Sequence, residues 1–316
     1  MIDLTSHRQP ERELDRERAS RDELIERISR ATHGKERIEP LPGLWLRRVT
    51  APTEQGHGVS FPAFCVIAQG SKEILLGEKC YRYDPAHYLI ATAELPIATR
   101  ITEASPEQPF LSVVLKLDPA LISSVMVEAG HLAPRRQAAV TAIDVSSLDA
   151  GLLDAVVRLV RLLDSPTDAR FLAPLVTREI VYRLMRGAQG GRFQHLAVLG
   201  GVTHRIAEAV ERLRTSFDQP LRIEEIAKEL GMSVSGFHHH FRSVTAMSPL
   251  QFQKHLRLQE ARRLMLGEGL DAASAGYHVG YGDASHFTRE YKRLFGAPPM
   301  HDVERLRKRA RENASF

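Results

Sequence analysis

Four groups of residues have the types and spacing to do chemistry. The tract His238-His239-His240 offers three imidazoles in a row. On a helix, successive side chains diverge by about 100°, so these three cannot chelate one ion together. His57 and His87 lie in a region rich in short strands, where a metal enzyme would need three or four His or Glu ligands converging from neighbouring strands. They are far apart and lack a close His-x-His pair, so no metal ligand, cofactor or catalytic residue is assigned. Cys65 and Cys80 are too few for a disulfide framework or a four-cysteine zinc site. A redox-sensing thiol would need exposure and a nearby cation, for which Lys72 and Lys79 are candidates. Cys65 stands among Phe64, Val66 and Ile67, the setting of a thiol packed as a small hydrophobe. The fourth group is a basic excess. Residues 201–316 carry 18 Lys+Arg against 14 Asp+Glu and 8 of the 14 histidines, whereas the first 200 residues balance at 25 of each sign. A basic module attached to a neutral one points to a polyanionic partner.

These residues must be held by elements that the pattern also reveals. A length of 316 residues suggests about two domains, and 43% hydrophobic with 26% charged residues excludes wholesale disorder. No window approaches the roughly 18 uncharged apolar residues of a membrane span. Met1 to Arg30 is dense in Arg, Asp and Glu and has no apolar core of a signal peptide, so a cytoplasmic protein is expected. Residues 1–20 read as a mobile tail. Leu24, Ile25 and Ile28 then share a helical face. Strands are expected over 61–69, 73–76, 80–83, 87–93 and 110–117, with a tight hairpin at Gly77-Glu78 and Leu111, Val113, Leu115 and Leu117 on one face. Such spacing suggests a small sandwich or barrel. After Asp118-Pro119 the pattern turns helical and stays so, through 148–163 and 178–185, with Gly190-Gly191 and Gly200-Gly201 as punctuation before the last third.

The last third contains a repeated unit. Over 221–243, Ile223, Ile226, Ala227 and Leu230 form a short apolar stripe, Gly231 supplies a left-handed helix end, and Ser233 can cap a second helix whose Phe237 and Phe241 pack back. This is the grammar of a helix-turn-helix, and a generic helical hairpin shares it. About 49 residues later Val279, Gly280, Asp283, Phe287 and Tyr291 repeat it over 271–295. The amphipathic run 249–266 between them reads as a long linker helix, able to hold two reading helices about 34 Å apart, one duplex turn.

The runs MSPLQFQKHLRLQEARRLM and VGYGDASHFTREYKRLFGAPP closely resemble the DNA-binding region of AraC/XylS-family transcriptional regulators, over roughly Val202 to Arg307. FCVIAQGSKEILLGEKCYRYDPAHYLIATAELP and PFLSVVLKLD resemble the N-terminal domain that a subgroup of them carries. The resemblance implies an α+β fold of two domains. Residues 21–190 would be a cupin-like β-barrel with trailing helices, used for effector sensing and dimerisation. Residues 200–307 would be an all-α double helix-turn-helix. It further implies that Ser235, His238 and His239, and then Ser285, His286 and Arg289, take the outward reading positions. Arg289 is the best base reader, since guanidinium pairs bidentately with guanine, and it points roughly 200° away from Phe287. Each histidine can instead contact phosphate or solvent. Arg242, Lys254, Arg257 and Lys292 are phosphate candidates, with salt bridges to neighbouring Glu as the alternative. Two departures from the family pattern, Gly276 and Ala272 in the second positioning helix, are expected to loosen the second reader, Gly276 by about 1 kcal/mol.

The expected protein is thus a sequence-specific transcriptional regulator and not an enzyme. Promoter DNA, a second copy and an unidentified small molecule in the barrel would be its partners, with RNA polymerase as a further one. The alternatives are thiol-based control through Cys65 and Cys80, and a cupin-type metal enzyme fused to a DNA-binding module.

Overall fold

The computed structural model describes residues 8–129, 141–190 and 202–314. They fall into two compact units, Met1–His204 and Arg205–Phe316.

Strands of period two build the first unit. They are β1 (Arg37–Leu41), β2 (Leu44–Val49), β3 (Gly56–Val59), β4 (Ala63–Gln69), β5 (Ser71–Leu76), β6 (Lys79–Tyr83), β7 (His87–Ala91), β8 (Pro96–Glu103), β9 (Phe110–Lys116) and β10 (Ile143–Ser147). Their antiparallel pairing gives a six-stranded sheet, β1-β2-β9-β4-β7-β10, and a four-stranded sheet, β3-β8-β5-β6. The expected closed barrel is therefore an open pair of sheets, with β1, β10, β3 and β6 as edges among the described strands. The reason lies in the corners. At Gly70 the chain leaves the large sheet on β4 and enters the small one on β5. Its φ is +85°, and a Cβ there would lie 2.4 Å from the Glu103 carbonyl oxygen, so only glycine makes this turn. The hairpin expected at Gly77-Glu78 joins β5 and β6, with Gly77 at φ 60°.

Helices cover one face of the large sheet. They are α1 (Arg8–Ala31), α2 (Pro119–Glu128), α3 (Ala150–Arg161) and α4 (Pro166–Arg186). Asp118 caps α2 by accepting from the Ala120 amide, and Asp149 caps α3 by accepting from Leu152. Leu24 and Ile28 of α1 and Leu152, Val156 and Leu184 of α3 and α4 bury against Leu46, Phe64, Val66, Leu111 and Val113 of the strands. Each such side chain contributes about 1.5–3 kcal/mol by leaving water. Glu23 ties α1 to α3. Hydrogen bonds from Arg161 at 2.7 and 2.9 Å, joined by one from Arg27, hold its carboxyl down at about 2.

Two expectations fail here. The tail read over 1–20 is helical from Arg8 onward, because α1 extends upstream of the residues that bury; residues 1–7 lie outside the described part. The unbroken helical run after Asp118 is interrupted by β10. Its five residues alternate too briefly to signal a strand, and pairing with the remote β7, Ile143 opposite Ala91 through Ser147 opposite His87, makes them one. Gly191, Gly200 and Gly201 lie outside the described residues.

The second unit is helical: α5 (Val202–Thr215), α6 (Ile223–Glu229), α7 (Val234–Thr245), α8 (Pro249–Gly267), α9 (Ala272–His278), α10 (Ala284–Phe295) and α11 (Pro299–Ala314). The linker helix α8 starts in a capping box, with Ser248 and Gln251 satisfying each other's amides. Its Phe252 meets Phe241 of α7 with ring centroids 5.5 Å apart, and its Leu258, Ala261 and Met265 join the cluster of Ala275, Val279, Phe287 and Tyr291. One helix thus forms the floor of both hairpins. Asp302 on α11, fully buried, accepts from Arg262 at 2.8 and 2.9 Å, from Tyr291 Oη at 2.9 Å and from Arg305 at 2.8 Å. Burial alone would raise its carboxyl, but these donors outweigh it and hold the pKa below the usual value.

Candidate functional site

Each hairpin of the second unit presents one helix outward. In α7, Ser233 Oγ accepts from the Gly236 amide at 3.1 Å and starts the helix; in α10, Asp283 Oδ1 accepts from His286 at 2.5 Å. The preceding turns need left-handed residues, met by Gly231 at φ 63° and Gly280 at φ 85°. Phe237 and Phe241 on α7, and Phe287 and Tyr291 on α10, have no solvent exposure. This orients the opposite faces. Ser235, His239 and Arg242 are exposed on α7, with His238 half-buried; Ser285, His286, Arg289 and Lys292 are exposed on α10. The residues read as base contacts, with Arg242 and Lys292 of the phosphate candidates, therefore stand on two outward helix faces of similar construction.

The third histidine of the tract behaves differently. His240 is half-buried, its Nδ1 has no hydrogen-bond partner, and burial together with His239 and Arg205 lowers its pKa. It packs inward while His239 points to solvent, as the helical divergence requires.

Two phosphate candidates have other partners. Lys254 Nζ is ion-paired with Glu290 Oε2 at 2.8 Å, joining α8 to α10. Arg257 is a bracket. Its Nε donates to the Phe217 carbonyl at 2.6 Å, Nη1 to Gly280 at 2.9 Å, and Nη2 to Asp218 and Gln219 at 3.1 and 2.9 Å. The guanidinium fork is consumed by backbone oxygens, and Gln253 supports the same loop by donating to Phe217 and Gln219. Sequence reasoning had no signal for this, because carbonyl acceptors carry no side-chain identity.

Gly276 also reads differently in three dimensions. A Cβ at this position would lie 2.9 Å from Phe287 Cγ and 3.1 Å from its Cδ1. The glycine that loosens an isolated helix here lets α10 seat its main anchor against α9, so the expected loosening of the second reader is not what the packing shows. Ala272, by contrast, packs half-buried against the same cluster.

The first unit contains a second candidate site, between its sheets. Because strands alternate, the large sheet gives Leu46, Phe64 and Val113 to the helices and Trp45, Cys65, Leu89 and Val114 to the other side. There they line a cavity of about 490 Å³ with Lys72 and Ile74 of β5 and Tyr83 of β6. Phe61 and Trp45 meet edge to face at 5.1 Å, and the Arg37 guanidinium lies 5.2 Å from the Trp45 ring centroid. Lys72 does neighbour Cys65, as its candidacy required, but burial outweighs it and pushes the thiol up to about 11. Cys65 is thus a poor thiolate. Cys80 is exposed, and alternation along β6 sets it on the face opposite Tyr83, away from the cavity. His57 and His87 stand on different sheets, and His87 Nδ1 is bound to Asp84 at 2.8 Å.

Comparison with known proteins bears on both units. Residues 40–192 match the N-terminus of AraC-type transcriptional regulators, and residues 226–305 match a helix-turn-helix domain. Among characterised proteins, the chain is 27% identical over 154 residues to the HTH-type transcriptional regulator ArgR of Pseudomonas aeruginosa, covering 48% of this chain and 47% of that one. It is 25% identical over 149 residues to the virulence regulon transcriptional activator VirF of Yersinia enterocolitica, covering 47% and 54%. The chain spans about half the length of the curated relatives it matches. In fold it is similar to apo ToxT from Vibrio cholerae, with a TM-score of 0.50 over 83% of this chain and 97% of that one at 10% identity. Two matched regions of separate kinds, in the order of the two units described above, make this chain similar in both of its parts to AraC-type transcriptional regulators.

Proposed function

We propose that the protein is a sequence-specific DNA-binding transcriptional regulator whose action is controlled by a small molecule held between the sheets of its first unit. The observation that carries the reading is the pair of outward faces on α7 and α10, each fixed by a buried aromatic pair and each exposing polar side chains opposite it. Arg289 is exposed and makes no ion pair among the described residues, so its five donors are available to a guanine edge. Ser235, His238, His239, Ser285 and His286 would supply further contacts, with Arg242 and Lys292 on phosphates. Arg257 and Lys254 instead hold the frame. A second copy would dock on α4, where Phe171, Leu172 and Leu175 are 68%, 44% and 61% exposed along one stretch, with Val127 of α2 at 58%. Exposed apolar side chains of this size support a homodimer. Promoter-bound RNA polymerase is the further partner of a regulator so placed. No helix among the described residues is long and apolar enough to cross a membrane.

The test is selection of binding sites from random duplexes by the full chain and by Arg289→Ala. Loss of a bidentate guanine contact costs about 1–3 kcal/mol and relaxes preference at one base pair. An unchanged consensus with uniformly lower affinity would make Arg289 a backbone contact, and unchanged affinity would remove it from the interface.

A further inference from the structure

The cavity in the first unit is not electrically neutral. Its wall is mainly apolar, with Trp45, Phe61, Ile74, Leu89, Ile97 and Val114. Glu36 brings the one carboxylate among the lining residues, and it is already taken by Arg47 at 2.7 Å. Lys72 has no ion pair or hydrogen-bond partner among the described residues, and Arg37 adds a second positive group over Trp45. Lys72 sits on β5 with its side chain on the same face as Ile74, so alternation alone would have called for an apolar residue there. It is half-buried and lines the cavity. Burial lowers its pKa, with neighbouring Arg47 acting in the same sense and Cys65 in the opposite one. A charge kept out of bulk water without a counterion is costly, and the missing partner is an anion.

We propose that the cavity takes a monocarboxylate with an apolar or aromatic body, its carboxylate on Lys72 and its body between Trp45, Phe61 and the Ile74 side. This deepens the effector reading given above and rests on it. About 490 Å³ is room for about 16 waters at ~30 Å³ each, which sets the ligand's size at a few rings or a medium chain. A sugar is disfavoured, because apart from the charged Lys72, Arg37, Arg47 and Glu36 the wall offers Ser60, Ser112 and the Tyr83 hydroxyl as its polar groups, and the last already shares a hydrogen bond with Cys65.

The groups facing Lys72 are Cys65 on β4, Tyr83 on β6, Arg47 on β2 and, through Arg47, Glu36. Cys65 and Tyr83 are both pushed upward by burial and stay neutral at ordinary pH. Lys72, whose pKa burial lowers, is the titrating member of the set.

The experiment uses the full chain with 4-phenylbutyrate, 1-naphthylacetate and octanoate, each paired with its primary amide, and measures binding by titration calorimetry and thermal shift. Lys72→Met and Lys72→Arg are compared; methionine fits an apolar wall, and the melting point of each empty variant reports its folding. At least one acid should bind at least tenfold more tightly than its amide. Lys72→Met should abolish that preference while leaving amide binding unchanged, and Lys72→Arg should restore it. As pH rises the acid affinity of the native protein should fall as Lys72 loses its proton, earlier than for a lysine in water because burial lowers its pKa, and that of Lys72→Arg should stay level. Equal binding of acid and amide, an acid preference that survives in Lys72→Met, or no binding by any of the six compounds would overturn the proposal. The same samples are assayed for DNA binding. DNA binding without an acid preference rejects the carboxylate alone, whereas absence of DNA binding rejects the regulator reading itself.

Discussion

Arg257 separates two accounts of the second unit most sharply, since its type and position suit a phosphate contact and its geometry suits a bracket. The perturbation is Arg257→Met, which keeps the aliphatic stem and removes all five donors. Four carbonyl bonds are lost, to Phe217, Asp218, Gln219 and Gly280. Each bond from a charged donor can be worth about 1.5–3 kcal/mol, but these carbonyls lie near the surface and regain water, so about 1 kcal/mol apiece is the better figure. The cation–π contact with Tyr281, at 5.8 Å, adds about 0.5 kcal/mol. The expected cost is about 4–5 kcal/mol to the second unit. Arg257→Lys should recover little of it, because a single ammonium cannot span four acceptors. Hydrogen exchange should accelerate at residues 217–219 and around Gly280, and DNA affinity should fall by the same factor at every salt concentration. The log–log salt slope is the deciding number. A lost phosphate contact would reduce its magnitude by about 0.9, whereas a lost bracket leaves it unchanged. A reduced slope with unaltered exchange would refute the bracket.

Two further outcomes follow from the packing. Ala246 ends α7 at φ 58°, where the matching position of the second hairpin, ending α10, has Gly296 at φ 78°. A left-handed alanine costs about 1–2 kcal/mol and a glycine loses about 0.4–1 kcal/mol more backbone freedom on folding, so Ala246→Gly should stabilise the protein by about 0.5–1 kcal/mol in urea titration; destabilisation would contradict the assigned conformation. Glu23→Gln should cost the first unit about 1 kcal/mol at neutral pH, the discount for a partly exposed pair. Because the folded carboxyl is held down at about 2, its contribution is full above the unfolded value near 4.5 and disappears as pH falls towards 2. The native and Gln proteins should therefore converge in stability over that window, and a constant gap would show that the pair with Arg161 is not its source.

What the sequence made legible follows the range of each signal. Both hairpins of the second unit could be read because their grammar is local: an apolar stripe, a glycine, a cap and an i, i+4 aromatic pair, stated twice. The face of β9 was legible for the same reason, since Leu111, Val113 and Leu115 alternate without interruption and all bury against helices. The cavity was not. Its walls come from all ten strands, β1 to β10, and Trp45, Arg47, Ile97 and Ile143 among the lining residues lie on strands that the local pattern did not mark. Lys72 was noticed only as a neighbour of Cys65. That it lacks a counterion among the described residues is a property of the ten strands together. Gly276 shows the converse error, in which a sound local rule about helix propensity is overruled by a ring 2.9 Å away.

The central claim is that α7 and α10 read one face of a duplex from a rigid frame, with α8 setting their separation. The direct measurement is the affinity of the full chain for its selected site before and after about five base pairs are inserted between the two contacted patches, half a turn of the duplex. The account predicts that the insertion turns one patch away, reduces affinity to that of a site with only one patch, and leaves footprint protection on the other. Affinity and protection undiminished by the insertion would contradict it.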